Sequence, residues 1–477
     1  MNIGDIASSA AFKFSRSRGR KLAKKVNAPA IPDAEPVSIR GDGFRVGFSK
    51  RMVAPENVTS EKYYMAGFRP NNVITGMHDP QTVSAMWIDC GRDEGIVLVS
   101  ADCVGLTGHD VNEIRDSLSD FCRISGCKYI DISCTHSHAG IDTVGYWGPL
   151  PFTGKNRKFQ SRFFSAIADV CKEAYQNRKS GRLYSGFIHV PEAIRASRYP
   201  YAVNDKLSRL RFVPDDGSEE TWLMNYSAHS DSLGGSNSTI SSDYCYFMRE
   251  AINAQKKTNV LFSVGAIASV GIAELSENRW ERSRMAGHIL AEKAFSIDND
   301  TELDAEITFI NQKYYAPIDN HILTLMPAWG VCTADTVPCA DSRLGLALKT
   351  EMTYIEIGHQ KILVLPGEIF TEIVYGGYAD AENSATGKGA EVNPEPFVNI
   401  CGDENLMILG VSNDMTGYIV PPNDWILHPT QPYLTSVLDK FDRNHYNETN
   451  SLGPDTAYLI ENVFRKMLSK MQGDKND

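Results

Sequence analysis

From Gly43 onward the chain alternates short apolar runs with amphipathic stretches. The apolar runs at 83–89, 95–101, 129–134, 221–226, 260–264, 361–365 and 406–411 have the length and composition of strands. Apolar residues at helical spacing predict helices over 111–124, 158–177, 281–295 and 455–471. Pro454 stands near the start of the last, where proline is tolerated. Strands interleaved with helices imply an α/β fold of layered mixed sheets with flanking helices. There is no fixed-period repeat and no low-complexity linker. The reading is one large domain over 41–477, preceded by an arm over 1–40.

Composition and charge refine this. With 477 residues, 42% of them hydrophobic and 22% charged, the chain is globular rather than disordered. Residues 1–30 hold seven basic residues and one acid, a balance of +6 that leaves −17 for the rest of a chain whose net charge is −11. An acidic body excludes a nucleic-acid partner, since phosphate neutralisation needs a basic surface. The basic arm reads as a flexible, solvated tail. Phe12, Phe14 and Leu22 interleave with its lysines and arginines, so peripheral contact with a membrane surface is the other reading. The basic run lacks the apolar h-region of a secretory signal. The longest uncharged apolar stretch, 258–273, has 16 residues and falls short of a membrane span. Ten cysteines without a CxxC pair read as reduced core thiols of a cytoplasmic protein, with a Cys332–Cys339 bridge as the one alternative. The oligomeric state is not set by any of these features.

Four segments carry candidate chemistry. In YIDISCTHSHAG at 129–140, the positions Ile130, Ile132, Cys134, His136 and His138 share one face of an extended chain. An apolar strand thus opens into two histidines. TWLMNYSAHSDSLGG at 221–235 repeats the pattern with His229, and KILVLPGE at 361–368 leads through a Pro-Gly turn to Glu368. In LMILGVSNDMTGYIVPP at 406–422 the loop carries Asn413, Asp414 and Tyr418. Each polar group follows the C-terminal end of a strand, where sites form in open α/β sheets. Two imidazoles and a carboxylate suit zinc, which activates a bound water and polarises a carbonyl. Asp243 and Asp102 are candidates to fix a histidine tautomer.

The ordered set of MAGF (65–68), TGMHDP (75–80), THSHAG (135–140), NYSAHSDSLGGSN (225–237), ISSDY (240–244), LPGE (365–368), SNDMTGYIVPPNDW (412–425) and HYNETNSLGPDTAYLI (445–460) resembles the catalytic domain of the neutral (non-lysosomal) ceramidases. The likeness runs over about residues 44–470. It implies a zinc-dependent amidase that splits an N-acyl sphingolipid into a fatty acid and an amine. By position, it implies zinc ligation by His136, His229, Glu368 and Tyr418. His138 matches the family's second histidine, placed at the substrate carbonyl or oxyanion, and Arg195 matches an arginine near the substrate.

Some positions depart from the family. Its Gly-Asp-Val-Ser-Pro stretch, whose serine has a catalytic part, is VGAIASVGIAE at 264–274 here; the serine position holds Gly271, and Ser269 is the shifted candidate. The first tyrosine of its NxYxxY pattern is Met415. The family's C-terminal immunoglobulin-like domain and its secretion signal are not expected. These changes open two alternatives to a ceramidase-like hydrolase with a small-molecule, lipid-like N-acyl substrate. One is a deacylase of a smaller substrate such as an acetylated amino sugar; the other is a degenerate, non-catalytic binding protein. A deep apolar slot would separate the first of these from a ceramidase-like site.

Overall fold

The computed structural model describes residues 3–24, 28–58 and 60–473. Two sheets form its centre. The larger has nine strands; along its main path these run Thr258–Val264, Glu220–Tyr226, Lys206–Pro214, Lys179–His189, Phe44–Val53, Gln81–Asp89, Gly95–Ala101 and Cys127–Cys134, and Thr301–Glu302 adds to Lys179–His189. The smaller runs Val37–Arg40, Glu306–Pro317, Leu346–Ile357, Gln360–Val364 and Met407–Leu409, with Thr336–Pro338 on Leu346–Ile357. Most neighbours are antiparallel, but Gly95–Ala101 with Cys127–Cys134, Glu220–Tyr226 with Thr258–Val264, and Gln360–Val364 with Met407–Leu409 are parallel. The layered, mixed-sheet expectation is met.

Alternation of side chains across a strand explains the layers. Phe48, Met86, Leu98 and Leu210 from the large sheet meet Phe309, Ile355 and Ile362 from the small one in a shared apolar layer. The other face of the large sheet buries Trp87, Val99 and Ile132 beneath the helices Arg157–Gln176, Tyr244–Gln255 and Arg279–Phe295. The outer face of the small sheet is covered by Thr456–Gly473 through Ile460, Phe464 and Met467. The strand cores expected at 83–89, 95–101, 129–134, 221–226 and 260–264 all lie within observed strands. The helix expected over 111–124 is instead two, Gly108–Ser117 and Ser119–Ser125, broken at Leu118.

The basic N-terminal segment is helical over Ile3–Ala23. Residues 1–2 and 25–27 of the expected arm lie outside the described residues. The helix packs on the body: the Ser15 hydroxyl donates to the His321 carbonyl at 3.3 Å, and Phe12 stands edge-on to His321 at 5.9 Å. At Gly19 a Cβ would lie 1.9 Å from the Leu344 carbonyl, so only glycine permits this approach. All ten cysteines are free, so the Cys332–Cys339 bridge does not form.

Asp102 and Asp243 do not serve the histidines. Asp102 accepts two bonds from Arg249, at 2.6 and 2.8 Å, and others from Ser242 and the Thr82 amide. Asp243 accepts from Ser232, Ser283 and the amides of Leu233 and Tyr244. Both therefore tie loops to the sheet. Asp102→Ala strands the buried Arg249 charge and should cost about 3–5 kcal/mol. Denaturant unfolding of the variant measures this; a loss below about 1 kcal/mol would show that Arg249 finds another partner.

Candidate metal centre

The strand Cys127–Cys134 ends before the histidines. His136 has φ +56°, so the alternation expected to put it on one face with Ile130 and Ile132 does not reach it; a turn does that work instead. His136 and His138 nonetheless point to one place, and His229 joins them from the loop after Glu220–Tyr226. One ring nitrogen from each of the three lies within 4.8 Å of the others. Glu368, just beyond Gln360–Val364, sets its carboxylate 2.9 Å from His229 Nε2 and 3.5 Å from His136 Nε2. Tyr418 is paired with Glu368 in a two-residue parallel ladder, and its hydroxyl donates to that carboxylate. The structure thus brings together His136, His138, His229, Glu368 and Tyr418.

The tautomers are fixed by the backbone. His136 Nδ1 donates to the Val104 carbonyl at 2.6 Å, and His229 Nδ1 to the Val270 carbonyl at 2.8 Å. Both leave Nε2 facing the centre, as a metal ligand requires. Burial holds His136 near a pKa of about 3, against the pull of Glu368, so its ring is neutral. Burial also opposes a charge on His229, but the Glu368 hydrogen bond and charge outweigh it and raise the ring to about 9. Glu368 is lowered despite its burial, by His136 and His229. A carboxylate wedged between two imidazoles is an arrangement a divalent cation satisfies without the extra proton.

His138 is the least tethered. Both its ring nitrogens are buried without a hydrogen-bond partner. Its ring packs edge-on to Phe68 at 4.9 Å, and Gly67, with φ +102°, lies directly behind it. A Cβ at Gly67 would come within 2.3 Å of the His138 ring, which gives MAGF a steric meaning. Two oriented imidazoles and a carboxylate fit a zinc donor set, and the unpartnered His138 nitrogens stand beside them.

The cluster opens into a cavity of about 860 Å³. Arg195 stands at its rim, 52% exposed and paired with Glu274 at 3.0 Å. Ser269 lines the cavity wall, with φ +58° and its hydroxyl donating to Asn447 at 3.2 Å. Gly271 and Met415 line it as well. Sequence reasoning passed over two groups. Tyr446 stacks edge-on to Tyr418 at 5.9 Å, and Asp231 lines the cavity near His229 with its carboxyl raised by burial. It also passed over Arg198, three residues beyond Arg195, which is buried between Asp424 and Glu448 at 2.9 and 2.8 Å. The signal lay in the acids of NDW and NET, each within a quoted motif.

No protein-family model and no curated protein matches the chain. Solved structures do. The neutral ceramidase from Pseudomonas aeruginosa superposes with a TM-score of 0.67 at 15% identity, covering 90% of this chain and 75% of its own. A ceramidase complexed with C2 gives 0.69 at 14% identity, covering 91% and 76%. The chain has the neutral ceramidase fold. The likeness in fold extends over about nine-tenths of the chain.

Two outcomes test the centre. With His229 raised to about 9, zinc binding at its Nε2 would displace a proton at pH 7. Zinc loading at pH 7 should release about one proton, and apparent affinity should rise with pH up to about 9. Calorimetry in buffers of different ionisation enthalpy reads the release directly; none would refute the His229 site. Gly67→Ala should push the His138 ring out of the cluster, and a crystal structure of the variant with the ring unmoved would overturn the steric account.

Proposed function

We propose that the chain is a zinc-dependent hydrolase of linear amides, ceramidase-like, that cleaves a lipid-like N-acyl substrate into a carboxylic acid and an amine. The observation that carries this reading is the histidine–carboxylate cluster at the wall of a large, partly apolar cavity on a ceramidase fold. Zinc at such a cluster supplies an activated water and polarises the amide carbonyl. His136, His229, Glu368 and Tyr418 are the proposed ligands. The backbone bonds at Nδ1 keep both ligand histidines oriented. His138, with no competing partner, is free to donate to the carbonyl oxygen as it gains charge, a contribution often worth about 10²–10³ in rate. Tyr446 packs edge-on against Tyr418 and hydrogen-bonds it beside Glu368. Ser269 is engaged with Asn447 and Arg195 with Glu274, so both act at the cavity wall in this scheme.

The cavity favours a long acyl chain over an acetyl group. Ile318, Ile322, Leu323, Met326 and Leu348 form an apolar wall beside the polar cluster. A volume of about 860 Å³ lies in the upper part of the roughly 300–1,000 Å³ range of ligand cavities. An acetylated sugar would leave that wall unfilled. Tyr418, Glu368 and all three histidines are retained, which argues against a degenerate binding protein.

The test is a panel of N-acyl substrates offered to zinc-loaded protein, with His136→Ala as control. Long-chain amides should exceed N-acetyl compounds by about 10² or more in kcat/KM, as several buried methylenes predict. His136→Ala should lose zinc and turnover together. Equal rates across chain lengths would sink the lipid assignment, and turnover in metal-free protein would sink the zinc scheme.

A further inference from the structure

The N-terminal helix Ile3–Ala23 is inside out for a helix in water. It buries Ser8, Ser15 and Gly19 against the body. Phe12 packs on His321, but three other large apolar side chains face solvent: Ile6 and Phe14 are each 55% exposed and Leu22 is 40% exposed. Lys13, Arg16, Arg20 and Lys21 are exposed among them. An amphipathic helix that served only the fold would show the reverse pattern. Apolar side chains spaced through lysines and arginines are the composition of a segment that lies in a lipid headgroup region.

The position of the helix links it to the cavity. It packs on the helix His321–Ala328, whose Ile322 and Met326 line the cavity wall, and the next residue, Trp329, is 58% exposed. At its start, Asp5 accepts from Gln431, in the turn that also carries Tyr433 and Leu434 to the cavity. The cavity rim is apolar as well: Phe68, Leu150 and Leu434 line it and are 44–46% exposed, and Phe152 beside Leu150 is 70% exposed. Among the described residues no helix is long and apolar enough to cross a membrane.

We propose that the outer face of the N-terminal helix, together with the apolar cavity rim, docks on an anionic phospholipid bilayer, so that an N-acyl lipid enters the cavity from the bilayer. The argument for this occupant is charge complementarity: a segment of +6 on a body of −17 is held by an anionic surface, while the body is repelled from it. The inference rests on the proposed N-acyl lipid substrate, but its binding test does not.

The experiment is vesicle sedimentation of the full chain. Vesicles of phosphatidylcholine alone are compared with vesicles containing phosphatidylglycerol. The parent should bind the anionic vesicles, less at high salt. The triple variant Lys13→Glu, Arg16→Glu, Lys21→Glu should bind them roughly 100-fold more weakly, the effect expected at about tenfold or less per basic residue. Phe14→Ser with Phe152→Ser should weaken binding at unchanged charge. All five side chains are exposed, so folding is kept, and circular dichroism checks it. Hydrolysis of a water-dispersed short-chain amide should be unchanged in these variants, while hydrolysis of a vesicle-embedded long-chain amide falls. A parent that ignores anionic vesicles, or a triple variant that binds like the parent, overturns the proposal. So does a parent that is dimeric in solution and made monomeric by Phe14→Ser, which would assign the face to a second copy. If the parent binds vesicles yet cleaves no amide, the proposed function fails and the docking surface stands.

Discussion

The site depends on one seam of backbone hydrogen bonds. The large sheet coils until its edge strand Thr258–Val264 reaches Gly95–Ala101, the neighbour of the opposite edge strand, where the Ser100 hydroxyl donates to the Phe262 carbonyl at 2.5 Å. The segment that follows Met407–Leu409, a strand of the small sheet, lies across both edges. The Gly410 amide donates to Val264 at 2.8 Å, Val411 accepts from the Cys134 amide at 3.1 Å, and the Asn413 amide donates to Ile132 at 3.0 Å. The Asn413 side chain accepts from the Ile132 amide and donates to the Tyr129 hydroxyl. One extended stretch thus fastens the small sheet to both ends of the large one. Glycine is required at 410, where a Cβ would stand 2.4 Å from the Gly265 carbonyl.

The seam sets where the donors converge. Strand ends that lie far apart in sequence are brought to one edge: Cys134 precedes the first histidine pair, Tyr226 precedes His229, Val364 precedes Glu368 and Leu409 precedes Tyr418. Strain gathers at the same edge. Val411 and Asn413 have φ of +48° and +61°, and His136 and Ser269 have +56° and +58°. For a β-branched residue such as Val411 this is costly, about 1–3 kcal/mol. Such conformations persist only where surrounding bonds over-determine them; here Val411 both donates to Gly367 and accepts from Cys134. Such over-determined backbone suits a cluster whose side chains come from four strand ends and not from one helix.

Much of this was legible because it is local. An apolar run that breaks into a polar loop marks a strand end, and that rule found His136, His138, His229 and Glu368 without any partner being known. Tyr418 needed the family likeness, since a tyrosine nine residues beyond the strand Met407–Leu409 carries no periodic signal of its own. The rule fails where geometry is decided by distant backbone. Period-two alternation runs only to Cys134, so the face shared by His136 and His138 comes from a turn that the sequence pattern did not contain. Asp102 and Asp243 looked like partners for imidazoles because they stand near them in motif order. Their charges are taken by Arg249 and by a helix N-cap, and the histidines use carbonyls, which no side-chain pattern can announce. Arg195 and Arg198 occupy one short motif, and only the buried acids Asp424 and Glu448 tell them apart.

The N-terminal helix shows the same limit from the other side. Its interleaved Phe, Lys and Arg are equally a solvated tail or an interfacial segment when read alone. The tie-breaker is which residues the body takes. The Leu344 carbonyl and His321 come so close that Ser15 and Gly19 lie beneath the helix with Phe12 edge-on to His321, while Ile6, Phe14 and Leu22 are left facing outward. Docking of the helix and exposure of its apolar residues are therefore one event. The helix His321–Ala328 on which it packs lines the cavity through Ile322 and Met326. The N-terminal helix thus stands one helix away from the cavity's apolar wall, in direct packing contact with the element that forms it.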